Sequence, residues 1–151
     1  MSTVMGGAHQ HGGRIVVGVD GSASAQQALR WAIRQATVTE TPVEAITAWE
    51  MPPYHGMAPS LDVDLSGAAR EVLDDAIDEA VKETGLSVRI EAHVMNANPA
   101  TALINAARNA DLLVVGSRGK GGFVQALLGS VSQRCAQHAG CPVVIVRAAA
   151  D

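Results

Sequence analysis

Aromatic side chains are scarce: one Phe, one Tyr and two Trp among 151 residues. Modules that stack on or read nucleic-acid bases depend on aromatic rows and basic clusters. The chain has neither, and its net charge of −4 also disfavours nucleic acid or an anionic membrane as partner. Cysteine is equally sparse. Cys135 and Cys141 make no disulfide framework. They straddle an expected helix end and strand start and read as two half-buried thiols in a reducing, cytoplasmic setting. No stretch is apolar for long enough to span a membrane. The opening MSTVMGGAHQHGG has no apolar signal core. Residues 1–13 read as a flexible tail, with His9 and His11 solvated rather than holding a metal.

What is present describes a globular chain. Hydrophobic residues make up 48% and charged residues 17%, enough for one domain with a real core over residues 14–148. Five β-rich apolar runs are bounded by Gly, Pro, Asp or Asn: RIVVGV (14–19), VEAITAW (43–49), VRIEAHVM (88–95), LLVVG (112–116) and VVIVR (143–147). Between them, small and apolar residues fall at helical spacing. The first stripe is Ala25, Ala28, Leu29, Ala32, Ile33 and Ala36. The second is Ala69, Val72, Leu73, Ala76, Ile77, Ala80 and Val81. The third is Ala102, Leu103, Ala106, Ala107 and Ala110. Ser22 or Ser24 is expected to cap the first helix, Ser66 the second, and Asn98 with Pro99 the third. A fourth helix is expected from near Ser130 to before Gly140.

Alternating strands and helices predict an α/β fold with a mostly parallel sheet. VRIEAHV alternates, as a strand with one wet face does. VVIV does not alternate and reads as buried on both faces; at a sheet edge it would need a cover. The acidic face of the second helix (Glu71, Asp74, Asp75, Asp78, Glu79, Glu83) reads as solvated. Residues 51–66 break every pattern and read either as a mobile lid or as a plain disordered insertion.

Chemistry concentrates at two strand ends. In an open parallel sheet, ligands sit beyond the carboxyl ends of the strands. The first strand runs out through Gly18, Val19, Asp20, Gly21 and Ser22, the fourth through Gly116, Ser117, Arg118, Gly119 and Lys120. A P-loop is excluded because neither Ser nor Thr follows Lys120, and GxGxxG is absent from both loops. What remains is Gly116-x2-Gly119-x9-Gly129-Ser130. Gly116 and Gly119 allow a tight turn with amides aimed at an anion, and Gly129 allows close approach again. Ser130, with Ser132 in the same turn, stands at a helix N-terminus, where the dipole favours phosphate. A methyl added at Gly116 or Gly129 is therefore expected to abolish binding and leave the fold intact. Arg118 and Lys120 either add positive charge or point to water. Asp20 reads as a turn former, as an acceptor for ribose hydroxyls, or as a holder of a phosphate-bound metal.

At these residues the chain resembles the universal stress protein family. ATP-binding members of that family carry G-x2-G-x9-G-[ST], matched here by Gly116, Gly119, Gly129 and Ser130. The opening IVVGVDGS and the closing CPVVIV are similar too, so the resemblance covers roughly residues 14–147. It implies a Rossmann-like, open five-stranded parallel sheet of order 3-2-1-4-5 with helices on both faces. It implies that Gly18, Val19 and Asp20 line the ribose and adenine side. Ala48 would meet the adenine edge, and Val115 and Gly116 would flank the nucleotide. Gly119, Gly129, Ser130, Val131 and Ser132 would hold phosphates. It further implies a homodimer through the last strand, Val143, Val144, Ile145 and Val146.

The expected function is a dimeric stress protein using ATP, alone or with Mg²⁺ held near Asp20, as a regulatory ligand. No Walker B acid, activated nucleophile or convincing water-activating base is evident, including His55 and His138, so little hydrolysis is expected. An ATP-using enzyme with an unidentified co-substrate and a nucleotide-independent dimeric interaction module stand as the alternatives.

Overall fold

The apolar runs form strands and the Ala-rich stripes form helices, in strict alternation. The computed structural model describes residues 13–51, 65–119 and 128–148. The elements are β1 (Ile15–Gly18), α1 (Ala23–Thr39), β2 (Val43–Trp49), α2 (Leu65–Thr84), β3 (Ile90–Asn96), α3 (Pro99–Ala106), β4 (Leu112–Gly116), α4 (Ser130–His138) and β5 (Val143–Val146). The strands form one parallel sheet of order β3-β2-β1-β4-β5, as expected. The chain moves outward from β1 to one side and then returns to place β4 on the other. That reversal opens a crevice at the carboxyl ends of β1 and β4.

Period-two side chains divide the core between the two faces of the sheet. Ile15 and Val17 of β1 and Val114 of β4 pack with Leu29, Ile33 and Leu73 from α1 and α2. Val16, Leu113 and Val115 pack with Leu103 of α3 and Cys135 of α4 on the other face. The stripe on α1 is buried at all six expected positions. Fully burying a side chain such as Leu29 or Ile33 contributes roughly 1.5–3 kcal/mol, so the α1 stripe is a principal fastening of that layer. Gln26 donates to the Ala76 carbonyl at 3.0 Å, and Arg30 pairs with Glu83 at 2.6 Å, joining α1 to α2. All six acidic residues of the α2 outer face are exposed.

Several local expectations need correction. Ser66 does not cap α2: the helix already includes Leu65, so both residues belong to it and not to the preceding loop. Val81 leaves the buried stripe and is 37% exposed, because the stripe drifts around α2 toward solvent. α3 ends at Ala106, and Ala110 is buried beyond it after a turn. β1 and β3 start one and two residues later than expected, and β5 ends at Val146. β5 is half-buried at all four positions rather than buried on both faces, because it is the edge of the sheet. Cys135 is completely buried inside α4, and only Cys141 is half-buried. Burial pushes the Cys135 thiol up to about 11 and raises Cys141 as well. The expected tail apart from Gly13, and residues 52–64 of the expected lid with His55, lie outside the described residues.

Candidate functional site

The site grows from two strand-to-helix junctions that lean on each other. After β1, Gly21 adopts φ 85°, a left-handed turn that glycine makes without strain. Ser22 N then donates to Asp20 Oδ1 at 2.8 Å, and Ser22 Oγ caps α1 by accepting from Ala25 N at 3.2 Å. The choice between Ser22 and Ser24 as cap is thereby resolved. Ser24 has another task. Its hydroxyl donates to Arg118 O at 2.5 Å and accepts from Arg118 N at 3.3 Å, bridging α1 to the loop after β4.

That loop is closed by the entry to α4. Gly129 N donates to Ser117 O at 2.7 Å. Ser132 Oγ donates to Ser117 O at 3.1 Å and to Gly129 O at 3.0 Å. The Ser132 hydroxyl is therefore satisfied by main-chain carbonyls, and Ser130, in the first helical position, is the exposed one.

The glycine spacing has a packing cause. A β-carbon on Gly116 would strike Ser24 Oγ and lie 2.6 Å from Ala25 N. A β-carbon on Gly119 would lie 2.8 Å from Asp20 Oδ2, and one on Gly129 would lie 3.3 Å from Arg118 Cα. The expectation that a methyl at Gly116 disturbs only a ligand is thus corrected: the residue lets α1 approach β4.

Between these loops lies a cavity of about 510 Å³. Small-molecule sites commonly enclose roughly 300–1,000 Å³. Gly18, Val19 and Asp20 line it from β1, Ala48 from β2, and Val115, Gly116, Arg118 and Gly119 from β4 and its loop. Gly129, Ser130, Val131 and Ser132 line it from α4. Lys120 lies outside the described residues. Sequence reasoning missed Ala25, Ile46, Pro99, Leu103, Leu128 and Gln133. Pro99 and Leu103 carried a signal, since both were placed on α3, but nothing local says that α3 borders this crevice.

The electrostatics are uneven. α1 and α3 are capped by Ser22 and Asn98, but α4, whose N-cap residue is Gly129, has no side-chain cap among the described residues. The first α4 bond runs from Gln133 N to Gly129 O at 3.0 Å, so the amides of Ser130, Val131 and Ser132 precede the helical ladder. They present the positive end of the helix dipole at the cavity wall. Asp20 stands across from them, with Oδ1 engaged by Ser22 and Oδ2 directed toward Gly119.

The fold and its cleft define a doubly wound, Rossmann-like α/β domain with its crevice at the carboxyl ends of β1 and β4. The chain belongs to the universal stress protein family: the family's sequence model matches residues 12–147. Universal stress protein Rv2624c of Mycobacterium tuberculosis is 31% identical over 137 residues, covering 91% of this chain and 49% of that protein. This chain thus spans about half the length of the curated relatives it matches. A universal stress protein solved in complex with cAMP is 32% identical, with a TM-score of 0.65 and coverage of 90% of this chain and 97% of that one. The universal stress protein of Archaeoglobus fulgidus, solved in complex with dAMP, is 25% identical, with a TM-score of 0.64 and coverage of 88% and 96%.

Proposed function

We propose that the cavity binds an adenine nucleotide, ATP in the first instance, and that the protein uses it as a regulatory ligand in a stress response. The observation that carries this reading is the uncapped start of α4 at the wall of the cavity. Ser130, Val131 and Ser132 supply unladdered amides suited to a phosphate. The apolar side chains of Val19, Ile46, Leu103 and Val115 suit a base. Asp20 accepts from ribose hydroxyls or holds a phosphate-bound Mg²⁺ through Oδ2. The nucleotide complexes of the two solved relatives support the ligand class.

The protein acts as a cytoplasmic homodimer. β5 carries Val143, Val144, Ile145 and Val146, all half-buried, and among the described residues no strand pairs with its outer side. A second copy pairing there removes an exposed, uncharged edge.

The test is direct. Protein purified without added nucleotide is denatured, and released small molecules are identified by mass spectrometry. The emptied protein is then titrated with ATP, ADP, AMP and cAMP by calorimetry. Co-purified adenine nucleotide, or saturable binding, supports the reading. Empty protein with no measurable affinity for any of the four sinks it and leaves the dimeric interaction module.

A further inference from the structure

Another group of side chains lies on β2 and β3, two of them near the amino ends of these strands and the third at the middle of β3. Glu44 and Glu91 are direct neighbours in the parallel β2–β3 ladder, each the second residue of its strand. His93 follows two residues after Glu91 and therefore projects from the same face of the sheet. Glu44 alternates with Val43 and Ala45, which pack toward α1 and α2, so the trio occupies the other face.

The donor atoms converge. His93 Nε2 lies 3.4 Å from Glu44 Oε2 and 3.7 Å from Glu91 Oε1, and all three donor atoms lie within 4.8 Å of one another. A tetrahedral cation with ligands at roughly 2.0–2.2 Å separates its donor atoms by about 3.3–3.6 Å. Two of these separations thus stand at or near that spacing. His93 Nε2 is itself shielded from solvent and makes no hydrogen bond among the described residues, although both carboxylates are at ion-pair distance. The nitrogen lies between the carboxylates without engaging either as a hydrogen-bond donor.

Each carboxylate also divides its oxygens. Glu44 turns Oε1 toward Arg14 Nε at 3.7 Å and Oε2 toward His93. Glu91 turns Oε2 toward an Arg89 guanidinium nitrogen at 3.2 Å and Oε1 toward His93. Arg14 is held in place by the carbonyls of Ala106 and Arg108, at 2.7 and 3.0 Å. The arginines engage the outer oxygens and orient the inner ones, which is how outer partners commonly fix metal-binding carboxylates.

We propose that Glu44, Glu91 and His93 form a Zn²⁺ site, with solvent completing the coordination. An imidazole with two carboxylates suits Zn²⁺, whereas Mg²⁺ and Ca²⁺ favour all-oxygen shells. The site is independent of the nucleotide reading.

The experiment uses the full chain carrying His9→Ala and His11→Ala, which removes the tail imidazoles. After chelator treatment it is titrated with Zn²⁺ by calorimetry, and thermal unfolding is followed with and without the ion. A single saturable equivalent is expected, with a rise in Tm. Loss of an outer partner of a metal ligand costs about 10–100-fold in affinity. His93→Ala, which removes a ligand itself, is therefore expected to weaken binding by about 100-fold or more and to abolish the Tm rise. Glu44→Gln and Glu91→Gln keep the side-chain shape and are expected to weaken binding while remaining folded. Absence of saturable binding, or equal binding by the folded His93→Ala and Glu44→Gln variants, overturns the proposal and leaves the trio as an ion-pair chain.

Discussion

Gly116 and Ser24 are in such close contact that any β-carbon on Gly116 would collide with Ser24 Oγ and fall 2.7 Å from Ser24 C. The pair joins β4 to the start of α1, and Gly116 lines the cavity. Overpacking of this kind costs about 1–3 kcal/mol. Gly116→Ala is expected to lower the urea midpoint of unfolding by a corresponding amount. Gly129→Ala, whose new methyl would meet neighbours at 3.3–3.6 Å, is expected to cost less. Equal losses in the two variants would remove the close-approach explanation.

Asp20 has one oxygen committed to the α1 turn and the other at the cavity. Asp20→Ala is expected to weaken ATP binding by about tenfold, the equivalent of one hydrogen bond near 1.4 kcal/mol. Calorimetry gives the affinity, and light scattering checks that the oligomeric state is unchanged. Full affinity in the variant would confine Asp20 to its structural role.

The two thiols should behave differently. Cys135 is completely buried, with its pKa pushed up to about 11 by desolvation, whereas Cys141 is half-buried. In a thiol-titration assay of native protein, Cys141 is expected to react first and Cys135 only on unfolding. The folded state keeps Cys135 protonated above its ordinary pKa of 9.0. Its contribution to stability is therefore complete below pH 9 and is lost as pH rises from 9 toward about 11. Cys135→Ala should flatten the fall in stability across that window; an unchanged slope would assign the alkaline loss to other groups.

The edge strand supplies a test of assembly. Val144 and Ile145 lie on opposite faces of β5, packed against the two separate core layers. Ile145→Lys places a charge at the proposed dimer edge and is expected to yield a folded monomer in sedimentation. A dimer that persists through Ile145→Lys and Val144→Lys would exclude β5 pairing.

Much of the site was legible in the sequence because its parts are local. Asn98 followed by Pro99 announces the start of α3, and Asn98 Oδ1 does accept from Thr101 N at 3.2 Å. The run from Gly116 to Ser130 identifies a loop with unusual backbone demands. Ser132 was less legible: a serine in the first turn of a helix gives no sign that its hydroxyl will be taken by Ser117 O and Gly129 O. The Glu44, Glu91 and His93 trio was also hidden, because Glu44 belongs to β2 and meets Glu91 and His93 of β3 only when the two strands pair in register.

By itself, the sequence determined the alternation of elements, the apolar stripe of α1 and the positions where α1, α3 and α4 start. Those properties arise from neighbours a few residues apart, through periodicity, capping and turn chemistry. Only the tertiary structure decided which strand ends share the crevice and why Gly116 must lack a side chain. Ser24 reaches Arg118 across 94 positions of sequence. Sheet order creates that contact, and no local pattern encodes the partner of a group so distant along the chain.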